Sequence, residues 1–293
     1  MSNIIFLTIV GSAEGARRAR LLIDSLRSFG GEFAYSPFWV FSPQLELIRA
    51  LENKSTRILP LEVPPPFLAY PFGAKVAACA RAEELTPDVT CSLVCIDTTC
   101  LIVQPPLLFD LGANFDAALR PVHICNVGLP ASAPLDEYWK GIYTALGVED
   151  IASTAQSFVD GQHLRAYYNS HSITVNPGKG LFRRWYELFQ RLSADREFQS
   201  RACSDELHQV FLFQAVFSAL VATALDPRRI CILPPSYNYP YNLQAKIPGA
   251  SRATSLDELV CFTYEERDLN PETVTDIQIR EPLRSWLEAH LNV

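Results

Sequence analysis

The chain has 293 residues, 48% of them hydrophobic and 19% charged, with a formal net charge of −7 and a pI near 5.3. That length buries ample core for one large α/β domain or two smaller ones, and the acidic balance argues against general nucleic-acid binding, which needs a basic footprint. Mean hydropathy is +0.07, yet no segment approaches the roughly 20 consecutive apolar residues of a membrane-spanning helix, and "IIFLTIV" (residues 4–10) lacks the basic n-region and small-residue cleavage site of a signal peptide.

The predicted elements begin with that β-branched run as a buried strand, ending at Gly11-Ser12. "AEGARRARLLIDSLRSFGG" follows with Ala16, Ala19, Leu22, Ile23 and Leu26 at helical spacing and glycines to stop it. "PFWVFSP" reads as a second strand, "QLELIRALEN" (44–53) as a second helix, and "TRILPL" as a third strand. The β-α-β-α-β order predicts a parallel sheet with crossover helices. After the proline-rich loop "PPPFLAYPFG" comes a helix over 74–85, then the strand "CSLVCI", which delivers Asp97 to the carboxyl end where open α/β sheets bind ligands. The turn at Gly11–Ser12 lies at a second such end. Farther on, "NFDAALRPV" (114–122) and "AYYNSHSITVNP" (166–177) read as strands, "APLDEYWKGIYTALG" and "GLFRRWYELFQRL" as amphipathic helices, "SDELHQVFLFQAVFSALVATAL" as a long apolar helix, and "RICIL" as a strand. No repeat or linker interrupts the chain. It is expected to form one unit, with residues 1–105 as a nucleotide-binding half and 106–293 as an acceptor-side half.

Eight cysteines (Cys79, Cys91, Cys95, Cys100, Cys125, Cys203, Cys231 and Cys261) sit mostly among apolar neighbours. The expectation is reduced, core-filling thiols in a cytoplasmic chain. Cys91, Cys95 and Cys100 are spaced C-x3-C-x4-C, and the chain has no C-x-x-C pair, so no structural zinc site is expected.

Taken in order, these segments resemble the nucleotide-sugar glycosyltransferases of the GT-A fold, over about residues 4–242. The resemblance rests on the first strand, the helix carrying "LLIDSLRSFG", the strand "PFWVFS" and a helix bearing Lys75. "VCIDTTCLIVQPP" stands where the family keeps a hydrophobic-Asp-x-Asp segment, followed by "FDAALRPV". "YYNSHSITVNPGKGLFRRW" is similar to the family's Asn-Ser-Gly strand and the helix after it, "FQAVFSAL" to its Asp-Gln helix, and "LPPSYNYP" to its Leu-Pro-x-x-Tyr-Asn loop. The resemblance implies a mixed, mainly parallel α/β sheet flanked by helices and sugar transfer from a nucleotide-diphosphate donor to an unknown acceptor. It puts Asp97 near the diphosphate, with Thr99 lining the same turn, Asn169 and Gln214 holding the donor sugar, and Lys75 on phosphate or nucleotide.

The chain departs from the pattern at the second metal acid, which is Thr99, at the glycine of Asn-Ser-Gly, which is His171, and at the Asp of Asp-Gln, which is Phe213. "VCFTYEE" (260–266) has no histidine where the family often has one for metal. Departure of a diphosphate develops negative charge. Mn²⁺ or Mg²⁺ on oxygen ligands can clamp it, or lysine and arginine can do so without metal. Asp97 is the metal-ligand candidate. The metal-free candidates are Lys75, Arg81, Arg120 and Lys246, with the Gly11, Ser12 turn offering backbone N–H groups. His171 is a candidate acid/base or sugar-binding group; His123 is equally open to a structural role. Asp205 and His208, at i and i+3, read as a pair or a helix cap. The alternative function is a degenerate relative that binds nucleotide, sugar or partner without turnover. A nucleotidyltransferase ranks lower, since "GSAEGARR" lacks a dense glycine pattern, and a Walker loop is absent.

Overall fold

The computed structural model describes residues 3–291. The first half contains β1 (Ile4–Ile9), α1 (Ala13–Phe29), β2 (Phe38–Ser42), β3 (Thr56–Pro60), α2 (Pro65–Leu68), α3 (Gly73–Leu85), β4 (Ser92–Ile96) and β5 (Cys100–Ile102). The second contains β6 (Ala117–Pro121), α4 (Glu137–Leu146), β7 (Thr154–Gln156), β8 (His163–Arg165), β9 (Tyr168–Val175), α5 (Leu181–Ala194), α6 (Arg196–Ala202), α7 (Glu206–Ala224), β10 (Ile230–Ile232), β11 (Tyr239–Pro240), β12 (Cys261–Thr263) and α8 (Leu283–Leu291).

A seven-stranded sheet runs in the order β10-β6-β9-β4-β1-β2-β3. All neighbouring pairs are parallel except those of β9, which is antiparallel to both β4 and β6. The sheet is therefore mixed and mainly parallel. Alternation along β1 sends Ile5 and Leu7 into one apolar layer and Ile4 and Phe6 into the other. The first layer packs against α3, α4, α5 and α7, the second against α1 through Ala19, Leu22, Ile23 and Leu26. Burial on both faces explains why the strands read as continuous apolar runs.

Local signals start the helices. Ser12 caps α1 by accepting the Gly15 N–H at 3.0 Å, Asp136 caps α4 by accepting the Trp139 N–H at 2.8 Å, and Asp205 caps α7 by accepting the His208 N–H at 3.0 Å. Gly147, at φ +74°, ends α4 in the left-handed conformation that glycine adopts freely.

The helix expected over residues 44–53 does not form. Two 3₁₀ turns, Leu45–Leu47 and Arg49–Leu51, replace it. Ten residues are marginal for an isolated helix, and Asn53 turns the chain back into β3 by accepting the Ser55 and Thr56 N–H groups, each at 3.0 Å. The expectation that no segment approaches membrane-spanning length also needs correction: α7 is 19 residues long with a mean hydropathy of 1.5. Its run from Leu212 to Val221 is buried against the sheet and α5, which makes it a core helix. Among the described residues all eight cysteines are unpaired.

A small second sheet, β11-β12-β5, lies where the chain leaves Asp97. Its antiparallel β12–β5 pairing carries the segment after β12 back over the Asp97 turn, where the Tyr264 N–H donates to the Thr99 carbonyl at 2.9 Å.

Candidate functional site

The carboxyl ends of β4 and β6 and the amino end of the antiparallel β9 meet at one end of the sheet's strands. Opposite β4, β9 keeps regular register as far as Ser172. Opposite β6 the register breaks: Leu119 faces Ile173, but Pro121 faces Tyr168, so residues 169–172 bulge against Arg120 alone. Bulges re-aim side chains. Here Asn169, Ser170 and His171 line a cavity of about 260 Å³ together with Asp97, His123, Asn126, Gln214, Asn242 and Glu265. Phe72 and Phe213, stacked 4.2 Å apart, form its apolar wall. Roomier clefts exist, such as one of about 540 Å³ between α4, α5 and α6, but the chemistry gathers here.

Asp97 does not cap its turn. Its carboxylate pairs with the Lys75 ammonium, which also donates to the Ser170 carbonyl at 2.6 Å. The Lys75 side chain is 6% exposed and that of Asp97 24%. Burial works against the lysine charge, but Asp97, Cys95 and the Asp97 hydrogen bond outweigh it and hold its pKa above the ordinary value. Lys75 is turned toward Asp97 and is not among the residues lining the cavity.

A chain of polar contacts crosses the cavity. Asn169 Oδ1 accepts from the His171 N–H at 2.8 Å and from Asn238 Nδ2 at 2.6 Å, and it lies 2.9 Å from His171 Nδ1. The other ring nitrogen, Nε2, lies 3.1 Å from Glu265 Oε1, and Asn242 Nδ2 donates to Glu265 Oε2 at 2.8 Å. His171 and Asn242 keep the Glu265 carboxyl below the usual range against the opposing effect of burial. Gln214 Oε1 accepts from Ser170 Oγ at 2.9 Å.

Backbone strain concentrates at the same place. The non-glycine residues with positive φ among those described are Phe72, Asn126, Asn238 and Glu265. Three of them line the cavity, and the fourth hydrogen-bonds Asn169. Such conformations cost about 1–3 kcal/mol each and cluster at functional sites. Asn242 Oδ1 and both ring nitrogens of His123 are buried there without a protein hydrogen-bond partner.

The other expected residues fall outside the cavity. Gly11 and Ser12 are exposed at the start of α1, and Ser12 Oγ accepts the Gly15 N–H as a helix cap. Thr99 meets Tyr264 through its carbonyl. Arg120 is buried on β6, one residue before its end and beside the bulge. Arg81 pairs with Glu84 on the surface and Lys246 is exposed. Asp205 and His208 pair with each other at the α7 cap. Glu265, Asn242, Asn238 and Phe72 were not singled out from sequence. Positive φ and cross-sheet contacts leave no local pattern, although "TYEE" and "YNYPYN" do place polar groups after short strands.

A divalent ion wants several hard oxygen ligands. Asp97 supplies one carboxylate, already paired with an ammonium, and no group of three His, Cys, Asp or Glu residues gathers among those described. The donor set does not fit a metal held mainly by protein ligands.

In fold the chain is similar to a galactosyltransferase, LgtC, solved in complex with donor and acceptor sugar analogs. The TM-score is 0.55 at 12% identity, over 98% of this chain and 94% of that one. This defines the architecture as an α/β glycosyltransferase fold of the GT-A type. Residues 6–219 match the Rhodobacterales glycosyltransferase domain, and the chain belongs to that family. None of the curated proteins compared with it matches.

Proposed function

We propose that the chain transfers a sugar from a nucleotide-diphosphate donor to an acceptor hydroxyl, without a resident metal, with the sugar held in the Asn169–Gln214–Glu265 cavity. The observation that carries this reading is the convergence of the β9 bulge, the Asp97–Lys75 pair and the strained Glu265 on one cavity at the carboxyl ends of β4 and β6. At about 260 Å³ the cavity is smaller than the roughly 300–1,000 Å³ of whole-ligand pockets. That size suits a sugar ring, with the nucleotide lying outside toward Gly11, Ser12 and Thr99.

In the reaction the acceptor oxygen bonds to the sugar's anomeric carbon, the bond from that carbon to phosphate breaks, and the diphosphate leaves with the electron pair. Glu265 is kept ionised beside His171, so the His171–Glu265 pair is our candidate to receive the acceptor's proton. Asn169 Oδ1 is occupied by His171 and Asn238, which leaves its amide N–H groups for sugar hydroxyls. Lys75 acts as a positioning residue that fixes Asp97 and the Ser170 carbonyl. We place this activity in the cytoplasm, where unpaired thiols stay reduced.

A second reading, binding without turnover, is favoured by the engagement of Asp97 with Lys75 and by Phe213 in the wall. Thermal-shift screening against UDP, GDP, CDP and dTDP and their sugars, with and without Mn²⁺, followed by assay of released diphosphate, separates the two. Metal-indifferent binding with turnover supports the proposal, and binding without turnover selects the second reading. Metal-dependent binding overturns the metal-free form, and a flat response to every nucleotide overturns both.

A further inference from the structure

His123 lines the sugar cavity but lies outside the hydrogen-bond chain that joins Asn169, His171, Glu265 and Asn242. It is 6% exposed, and neither ring nitrogen has a hydrogen-bond partner within the protein. Backbone bonds fix its place. The Val159 N–H donates to the His123 carbonyl at 2.7 Å, the Phe158 N–H to the Val122 carbonyl at 3.0 Å, and the Val122 N–H to the Tyr167 carbonyl at 3.2 Å. Its ring lies 6.4 Å from that of His171, at an angle of 23°. Burial first, then His171 and Arg120, keep it well below the usual histidine range and therefore neutral. A neutral imidazole offers one N–H and one bare nitrogen.

Asn242 lines the same cavity. Its Nδ2 donates to Glu265 Oε2 at 2.8 Å, an orientation the carboxylate enforces because it can only accept. That leaves Oδ1, buried and without a protein partner. The three unpartnered atoms of the two residues are thus one donor and two acceptors. An anion could answer only the donor, and it would face Glu265, which is kept ionised in the same cavity. An alkyl group answers none of the three, and buried polar atoms left unpaired are costly. Hydroxyl groups answer them all, because each both donates and accepts.

We infer that His123 and Asn242 are specificity-determining residues for the transfer: they read hydroxyl groups on the sugar in the cavity, so the sugar taken is uncharged and keeps its hydroxyls where these two side chains meet it. This deepens the sugar-transfer reading and rests on it. The work divides by residue. His171 and Glu265 take the acceptor's proton, while His123, held neutral beside them, takes no proton and serves only to recognise.

Calorimetric titration of the full chain tests this. UDP, UDP-glucose, UDP-galactose, GDP and GDP-mannose show which sugar adds affinity to its diphosphate, and each singly deoxygenated form of that sugar nucleotide is then titrated in turn. Removing the hydroxyl that meets His123 should weaken binding about 10- to 100-fold, because a site built to bond a hydroxyl rejects the analogue without it. His123→Phe keeps a ring in place and removes both polar atoms, so it should bind the parent and that deoxy form equally. His123→Gln, which restores a donor and an acceptor, should recover part of the preference. Asn242→Ala should erase the preference for a second hydroxyl. A cooperative melt checks that each variant is folded. Deoxy forms that all bind as tightly as the parent, a loss that persists unchanged in His123→Phe, or a bare diphosphate that binds as tightly as every sugar nucleotide overturns the inference and leaves the transferase reading standing. Absence of binding by every nucleotide overturns both.

Discussion

The Lys75–Asp97 pair lends itself to a double-mutant cycle because its members differ in exposure. Asp97→Ala strands an ammonium whose side chain is 6% exposed, whereas Lys75→Met strands a carboxylate that is 24% exposed and partly reached by water. Breaking a buried pair from one side costs roughly 3–5 kcal/mol. Asp97→Ala should fall at the low end, about 3 kcal/mol. Lys75→Met should cost less, about 2 kcal/mol after allowing for solvent at the carboxylate, although it also removes the donor to the Ser170 carbonyl. The double variant has no stranded charge and should recover a coupling energy of about 2 kcal/mol. Equilibrium urea unfolding of the four proteins gives the cycle, provided the denaturant slope stays constant. Additivity within about 0.5 kcal/mol, or a larger loss from Lys75→Met than from Asp97→Ala, would refute the view that this pair is the buried anchor of the site.

His123 has its pKa held well below the ordinary histidine value, so below about pH 6.5 the unfolded chain takes up a proton that the folded chain refuses. Stability should then fall with acidity by up to about 1.4 kcal/mol per pH unit, and His123→Gln should flatten that slope; parallel pH profiles for the two proteins would count against it. A Cβ at Gly73 would run into the Phe67 carbonyl oxygen, so Gly73→Ala should cost about 1–3 kcal/mol and move Phe72 off Phe213, seen as weakened sugar binding by titration. Glu83 is buried on α3 and accepts the N–H groups of Phe182 at 3.2 Å and Arg183 at 3.0 Å in the first turn of α5. Glu83→Ala should lose about 2 kcal/mol in urea unfolding, with Glu83→Gln recovering part of it.

Most strands and long helices were legible because their signals are local. Continuous β-branched runs mark strands buried on both faces, and Ser12, Asp136 and Asp205 stand where helix-starting amides need acceptors. Residues 44–53 misled because their apolar spacing suits a helix, but the segment is too short and must turn back into β3. Asp97, Asn169, His171 and Gln214 were legible as a set from the order of their segments, and the fold does bring them to one cavity.

The alternating α/β plan, the acidic and apolar character, and the polar residues at the carboxyl ends of the strands are written locally in the amino-acid order, since each depends on neighbours a few residues away. Which of these groups meet is set by the packing of the folded chain. The bulge of residues 169–172 against Arg120, the return of Glu265 over the Asp97 turn through β12 and β5, and the engagement of Lys75 with Asp97 each join groups far apart in the chain. Pairing across a sheet and the burial of a charge are set by the whole packing arrangement, and no local period records them.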